Sequence, residues 1–204
     1  MKLLLPFTLL FLLACSGNKT TEISIDEQSE KVILEAGNRI AMLAKKTMGG
    51  QLKKALGEGG PTHAVQFCNT AAYSMLDTLN TGMDVVIKRV SLRVRNPKDQ
   101  PTDQERDILT EYQELLSQGK ELTATVKAIN DEQILFAKPI LLDDPVCLNC
   151  HGKTGTEIAE ETQVLLKELY PNDQATNHSM GDLRGMWSIV MKRGEIKDKL
   201  AGND

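Results

Sequence analysis

The residues with the clearest chemistry are Cys147, Cys150 and His151, which form the motif C-x-x-C-H. In this motif each thiol adds to one haem vinyl group, and the histidine that follows ligates the iron. A zinc site would need two further ligands, and His178 is the only histidine downstream. A structural disulfide would leave His151 unexplained, and the predicted element order does not fit a thioredoxin-like redox pair. The spacing therefore predicts covalent attachment of one haem c.

The motif does not determine the second axial ligand of such an iron. Small electron carriers usually provide a methionine, for which Met180 and Met186 are the candidates after the motif. Cys68 is an alternative, because it has no disulfide partner once the other three cysteines are assigned, and its thiolate would lower the reduction potential. A buried, inert cysteine is the structural interpretation of the same residue. His63 is a weaker candidate, since its place at a predicted helix start fits a surface residue.

Positive charge is concentrated just before the middle of the chain. A strand is predicted at residues 90–95. One face of this strand would carry Ser91, Arg93 and Arg95, together with Arg89 just before it. The three guanidinium groups could bind the two haem propionates, which favour bidentate donors. A solvated basic strand face is the alternative interpretation.

The first residues predict export. One lysine and an apolar run at residues 3–13 have the proportions of a secretory signal peptide, and the run is too short to span a bilayer as a mature helix. The run ends in Leu-Leu-Ala-Cys and turns polar after Cys15, which resembles the bacterial lipobox. We therefore expect a signal peptide at 1–14, and an acylated Cys15 followed by a polar tether at 15–30. The expected location is the cell envelope, at the periplasmic face of the outer membrane if the cell is Gram-negative.

Composition excludes several classes of protein. The 204 residues are 41% hydrophobic and 25% charged, which are globular proportions. A net charge of −4 and 4% aromatic residues give no support for binding nucleic acid through phosphates or base stacking. Residues 31–204 are therefore expected to form one globular, haem-binding domain.

Hydrophobic periodicity and the order of the elements predict an α+β fold, an antiparallel sheet with helices on one side. Thr62 is the predicted cap of the second helix, and Thr102 with Glu105 forms a capping box for the third. The expected helices cover 31–56, about 62–76, about 103–118 and 157–169, and the expected strands cover 90–95, 122–129, 132–142 and 186–191.

Several blocks of this sequence, taken in order, resemble a bacterial family of c-type haem domains with a PAS-like fold, long catalogued as a domain of unknown function. The blocks are Phe67-Cys68, residues 88–97, residues 136–140, residues 147–152 and residues 181–188. The resemblance implies a PAS-like sheet preceded by helices, one covalent haem, and axial ligation by His151 and Cys68. Relatives often carry kinase or cyclase output modules, and none is recognised in this chain, so signalling would require a partner protein.

The leading hypothesis is a membrane-anchored monohaem protein that senses redox state or a small gas. A thiolate that is protonated or lost on reduction would give the iron two states. The alternative is an electron carrier between membrane complexes. No enzyme activity is expected, and a haem peroxidase is the weakest alternative, because only His63 is available as a distal acid–base group.

Overall fold

The computed structural model describes residues 24–195, which form an α+β fold with N-terminal helices and a four-stranded antiparallel sheet. This confirms the predicted fold class. The helices are α1 (Glu27–Met83), α2 (Asp103–Ser117), α3 (Leu148–His151) and α4 (Glu160–Leu169). The strands are β1 (Val86–Val90), β2 (Thr125–Ala128), β3 (Gln133–Leu141) and β4 (Leu183–Lys192), and short 3-10 turns cover Pro97–Asp99 and Pro145–Cys147. No helix among these residues is long and apolar enough to cross a membrane. The signal peptide and Cys15 lie outside the described residues.

Helix α1 begins earlier than predicted. The Asp26 side chain accepts a hydrogen bond from the Ser29 backbone N–H at 2.9 Å, so Asp26 caps a helix that starts at Glu27. Residues 27–30 therefore belong to α1 rather than to the predicted polar tether.

The long helix is broken at the predicted position. Gly59 and Gly60 leave helical geometry, with Gly60 at φ 69°, and Pro61 opens the second half. The prediction that Thr62 caps this half is wrong. Its hydroxyl shares a 3.2 Å hydrogen bond with the Thr162 hydroxyl of α4, because Pro61 already occupies the first helical position.

The sheet has the order β1-β4-β3-β2, and its two faces bury different residues. Ile134 and Phe136 of β3 pack against α1, whereas Leu135 and Ala137 pack against α2. The prediction of helices on one side of the sheet is therefore wrong, because α1 covers one face and α2 covers the other. Phe136 lies so close to α1 that a Cβ on Gly37 would meet its ring at 2.3 Å.

The strand predicted at 90–95 is wrong in position. Strand β1 ends at Val90, and the chain then bends away from the sheet. The Ser91 hydroxyl causes this bend, since it donates to the Arg184 carbonyl at 2.7 Å and accepts the Arg93 backbone N–H at 3.1 Å. Arg93 and Arg95 therefore do not share a strand face with Arg89.

The remaining elements follow the sequence closely. The Thr102 capping box is present, with the Glu105 carboxylate accepting the Thr102 N–H at 2.7 Å. Asn130 forms the turn between β2 and β3 by accepting the Gln133 N–H at 2.8 Å. Helix α4 starts at Glu160 rather than 157, since the Glu157 carboxylate instead accepts the Lys153 N–H at 2.6 Å in the preceding loop.

Candidate functional site

A cavity of about 320 Å³ lies between the two halves of α1, the end of β1 and the segment that carries the C-x-x-C-H motif. Its volume is within the range of roughly 300–1,000 Å³ typical of small-molecule and cofactor sites. Cys68 of α1 lines this cavity together with Cys147, Cys150 and His151. The fold thus brings Cys68 to the motif across about eighty residues of sequence, as the family resemblance implied.

The motif folds as two short helical turns. Asp144 accepts the Val146 N–H at 3.0 Å and so begins the turn at Pro145–Cys147, which continues directly into α3. Cys147 and Cys150 are both partly buried free thiols. Burial raises the pKa of the Cys147 thiol, and it raises the pKa of Cys150 to about 11. At neutral pH these are protonated thiols, which a thiolate redox pair would not be.

The described residues also argue against a metal ion bound by side chains alone. Within residues 24–195 no group of three or more histidine, cysteine or acidic side chains is placed to hold a metal ion. Zinc in a structural site takes four protein ligands. The motif therefore does not belong to a zinc site in this part of the chain.

His151 is held in one tautomer. Its Nδ1 lies 2.8 Å from the Ala175 carbonyl oxygen, which can only accept a hydrogen bond. Nδ1 therefore carries the proton, and Nε2 keeps its lone pair for another partner. Burial lowers the pKa of His151 well below its usual range, and the positive charges of Arg184 and Arg95 lower it further. The imidazole is therefore neutral, as a metal ligand must be.

A buried ion pair braces the loop that carries Ala175. The Arg95 Nε lies 3.0 Å from the Asp173 carboxylate, and the two side chains are only 11% and 9% exposed. Arg95 also donates from Nη2 to the Cys150 carbonyl at 2.6 Å, and the second Asp173 oxygen accepts the Ala175 N–H at 2.7 Å. The pair thus ties the motif turn to the loop whose carbonyl orients His151.

Cys68 has the surroundings of a thiol that could become a ligand. Burial raises its thiol pKa, and the nearby charges of Arg89 and Arg95 act in the opposite direction. The free thiol is therefore protonated at neutral pH, but the positive charges of Arg89 and Arg95 would stabilise its thiolate if it formed.

The arginines predicted from the sequence separate into two groups. Arg89 and Arg95 line the cavity, whereas Arg93 does not. Arg93 instead donates from Nε to the Gln174 carbonyl at 3.0 Å, and its Nη2 donates to the Thr176 carbonyl. Its assignment as a cavity residue is corrected accordingly, because the bend at Ser91 turns it towards the 174–176 loop.

Arg184 is a cavity residue that the sequence analysis missed. It is the second residue of β4, it lines the cavity, and its Nη1 donates to the Ser91 hydroxyl at 2.9 Å. Burial, followed by the charges of Arg95 and Arg89, lowers its pKa to about 10. The sequence signal was its place in the 181–188 block, but only the pairing of β4 with β1 shows which residues it meets.

The other candidate ligands lie away from the cavity. Met186 is buried in the core between the sheet and α2, and Met180 is 43% exposed. His63 is also exposed and faces Glu58 at 3.6 Å. Neither the two methionines nor His63 lines the cavity. Among the methionines, Met48 and Met75 of α1 do line it, which the order of residues after the motif could not indicate.

His178 packs beside the motif histidine. The two rings meet edge to face, with centroids 6.4 Å apart, and the His178 backbone N–H donates to the His151 carbonyl at 2.9 Å. Its Nε2 is buried without a hydrogen-bond partner among the described residues. Burial, with Arg93 and Arg184 nearby, lowers its pKa to about 4. His178 is therefore neutral and packs against His151 without lining the cavity itself.

The fold and site together define a small α+β domain that encloses a cofactor-sized cavity lined by thiols, one imidazole and arginines. The family model described as Tll0287-like matches residues 19–192, and the chain belongs to this family. The match confirms the family resemblance found in the sequence blocks.

Comparison with solved structures supports the same fold. The chain is similar to the crystal structure of the cyanobacterial heme-protein Tll0287, with a TM-score of 0.58 and 21% sequence identity. The similarity covers 83% of this chain and 98% of that one. At this identity the likeness shows the PAS-like α+β fold. No curated protein matches this chain.

Proposed function

We propose that this protein binds one c-type haem in the cavity, attached through Cys147 and Cys150. Each S–H would add across one vinyl double bond, so that a carbon–sulfur bond forms, the hydrogen moves to the second vinyl carbon, and no oxidant is needed. His151 and Cys68 would be the axial ligands. The observation that carries the proposal is that both thiols, the imidazole and the distant Cys68 line one cavity. The structurally similar Tll0287 is itself a heme-protein, which points the same way.

The residues present fit such a group by their chemistry. The hydrogen bond from His151 Nδ1 to Ala175 leaves Nε2 free to coordinate. The Nε atoms of Arg89 and Arg184 are buried and have no hydrogen-bond acceptor among the described residues, as expected if an anionic ligand supplies that acceptor. The cavity walls also provide apolar contacts for a porphyrin face, among them Phe67, Leu52 and Trp187.

We further propose that the protein senses redox state or a small gas. A bound haem supplies two iron oxidation states and a coordination position for a small ligand when an axial ligand leaves. Burial raises the pKa of Cys68, so its sulfur regains a proton readily when the positive charge facing it decreases. Cys68 would thus be held in one oxidation state and released in the other. The alternative, an electron carrier, requires Cys68 to stay bound in both states.

The remaining parts of the proposal concern location and partners. We place the protein at a membrane surface of the cell envelope, held by an acylated Cys15, with a separate redox or signalling protein as its partner. We propose no enzymatic activity: His63, the one distal acid–base candidate, faces Glu58 and does not line the cavity. Replacing Cys15 with alanine should move the protein from the membrane fraction to the released fraction.

Covalent attachment is tested by producing the full chain in cells that mature c-type cytochromes. The wild type should keep its haem after extraction with acidified acetone and give a c-type pyridine haemochrome spectrum. The double variant Cys147→Ala/Cys150→Ala should lose the haem on extraction, whereas Cys68→Ala, the matched cysteine control, should retain it. A wild-type protein that releases all its haem on extraction would contradict the proposal.

The sensor and carrier hypotheses are separated by ligand binding. The reduced protein should bind CO or NO, and binding should be visible as a shift of the haem absorption bands. A reduced protein that binds neither gas, and that exchanges electrons rapidly and reversibly, would instead support the carrier.

A further inference from the structure

We propose that Arg89 and Arg184 form a carboxylate-binding site in the cavity wall, and that it receives the propionate groups of the haem. This inference rests on the proposed function. Of the three arginines that the sequence proposed for the propionates, it keeps Arg89, and it replaces Arg93 and Arg95 with Arg184.

A close approach of two strands creates this site. Gly185 of β4 lies against the end of β1, and a Cβ at this position would meet the Val90 carbonyl oxygen at 2.3 Å. Without a side chain there, β4 comes near enough for Arg184 Nη1 to donate to the Ser91 hydroxyl at 2.9 Å and to the Arg93 carbonyl at 3.1 Å. One edge of the Arg184 guanidinium is therefore fixed to the bend after β1.

The other edge of Arg184 has no partner. Its Nε is buried and makes no hydrogen bond within the described residues, and the same is true of Arg89 Nε. Neither arginine forms an ion pair in residues 24–195. Arg89 lies on β1 and lines the same cavity as Arg184. Buried N–H donors in native proteins nearly always have an acceptor, so these two atoms point to an acceptor supplied by a ligand.

Charge balance leads to the same conclusion. The positive charge of Arg95 is already balanced by Asp173 at 3.0 Å. Two further carboxylates line the cavity: Asp143 pairs with Lys45, whereas Asp99 accepts the Tyr73 hydroxyl at 2.7 Å and keeps its negative charge. Asp99 thus remains as the carboxylate for both Arg89 and Arg184, and the excess of positive charge in this largely enclosed site is costly unless an anion pairs with it. A carboxylate suits a guanidinium best, because it can accept two parallel hydrogen bonds.

Arg93 and Arg95 are poorly suited to this role. The Nε atom of Arg95 donates to the Asp173 carboxylate, and its Nη2 atom donates to the Cys150 carbonyl. Arg93 does not line the cavity, and it binds backbone carbonyls of the 174–176 loop. Arg93 and Arg95 therefore hold the loops of the site, while Arg89 and Arg184 are free to bind its ligand.

The midpoint potential of the haem-loaded full chain tests this assignment. Positive charge beside a propionate favours the reduced iron, so Arg184→Gln and Arg89→Gln should each lower the potential. Arg184→Lys keeps the charge and should restore most of the wild-type value. Arg106→Gln, an exposed position on α2, changes the net charge equally and should leave the potential unchanged. The infrared redox difference spectrum should also show a shifted carboxylate stretch in the two glutamine variants of the cavity arginines.

The inference is overturned if Arg184→Gln and Arg89→Gln keep both the wild-type potential and the wild-type carboxylate bands. A second arm titrates succinate into the haem-loaded protein by calorimetry. Heat of binding that disappears in Arg184→Gln would show that the site takes a free carboxylate, and would overturn the propionate assignment; no heat is expected. Failure of the proposed function is distinguishable, since the wild type would then lack a c-type haemochrome spectrum.

Discussion

The Asp173–Arg95 pair predicts a large loss of stability when a single charge is removed. Asp173→Asn keeps one oxygen for the Ala175 N–H but places an NH₂ group, or a neutral oxygen, beside Arg95 Nε. The guanidinium would then remain buried without its counter-charge. Breaking a buried pair in this way costs about 3–5 kcal/mol. Arg95 retains its hydrogen bond to the Cys150 carbonyl, so we expect the lower end of that range.

Urea unfolding of the haem-loaded protein, followed by far-ultraviolet circular dichroism, measures this loss. With a denaturant dependence of about 2 kcal/mol/M, a loss of about 3 kcal/mol lowers the midpoint by roughly 1.5 M. Asp84→Asn is the matched control, because Asp84 pairs with Lys192 at the surface, where both side chains are more than half exposed. Asp84 also has φ 49°, a conformation that asparagine tolerates. The control should lower the midpoint far less than Asp173→Asn does, because solvent screens an exposed pair.

Equal midpoints for Asp173→Asn and Asp84→Asn would refute this reasoning. The buried pair would then contribute no more than a surface pair, and the brace between the motif turn and the His151 acceptor would have no energetic basis.

Two further predictions concern stability. His178 has a folded-state pKa of about 4, below its ordinary value of 6.5, so the unfolded chain binds the extra proton between these values and stability falls as the pH drops from 6.5 towards 4. His178→Gln should flatten this part of the stability–pH profile relative to the exposed control His63→Gln, and equal slopes in the two variants would contradict the assignment. Gly185→Ala should destabilise the protein by roughly 1–3 kcal/mol, because the new Cβ would clash with the Val90 carbonyl. If Gly185→Ala unfolds at the same temperature as the wild type, β1 and β4 can move apart at no cost in stability, which would contradict this prediction.

The sheet and most helices could be predicted because their burial follows a period. In β3, residues 134–137 are an unbroken apolar run, as expected for a strand buried on both faces, with Ile134 and Phe136 towards α1 and Leu135 towards α2. Residues 90–95 alternate between apolar and polar side chains, and yet the strand ends at Val90. There the polar Ser91 is buried and hydrogen-bonded to the Arg184 carbonyl, a long-range contact that periodicity does not contain.

The residues of the site also divide into those that local sequence identifies and those that only the folded structure brings together. Cys147, Cys150 and His151 could be identified from spacing, and Cys68 from the family resemblance. Asp173 and the Ala175 carbonyl could not, because they lie in an irregular loop and act through one carboxylate and one backbone oxygen. The role of Arg184 depends on the pairing of two strands whose facing residues are more than ninety positions apart.

The central claim is that Cys68 and His151 hold the iron of one covalent haem, with Cys68 bound in only one oxidation state. Its most direct test is a redox titration of the wild type and of Cys68→Ala, with visible and electron paramagnetic resonance spectra of both states. We predict a low-spin, thiolate-ligated ferric spectrum that the substitution abolishes, a higher midpoint potential in the variant, and no thiolate ligation after reduction of the wild type. A ferric low-spin spectrum that is the same in both proteins would remove Cys68 from the iron and contradict the account.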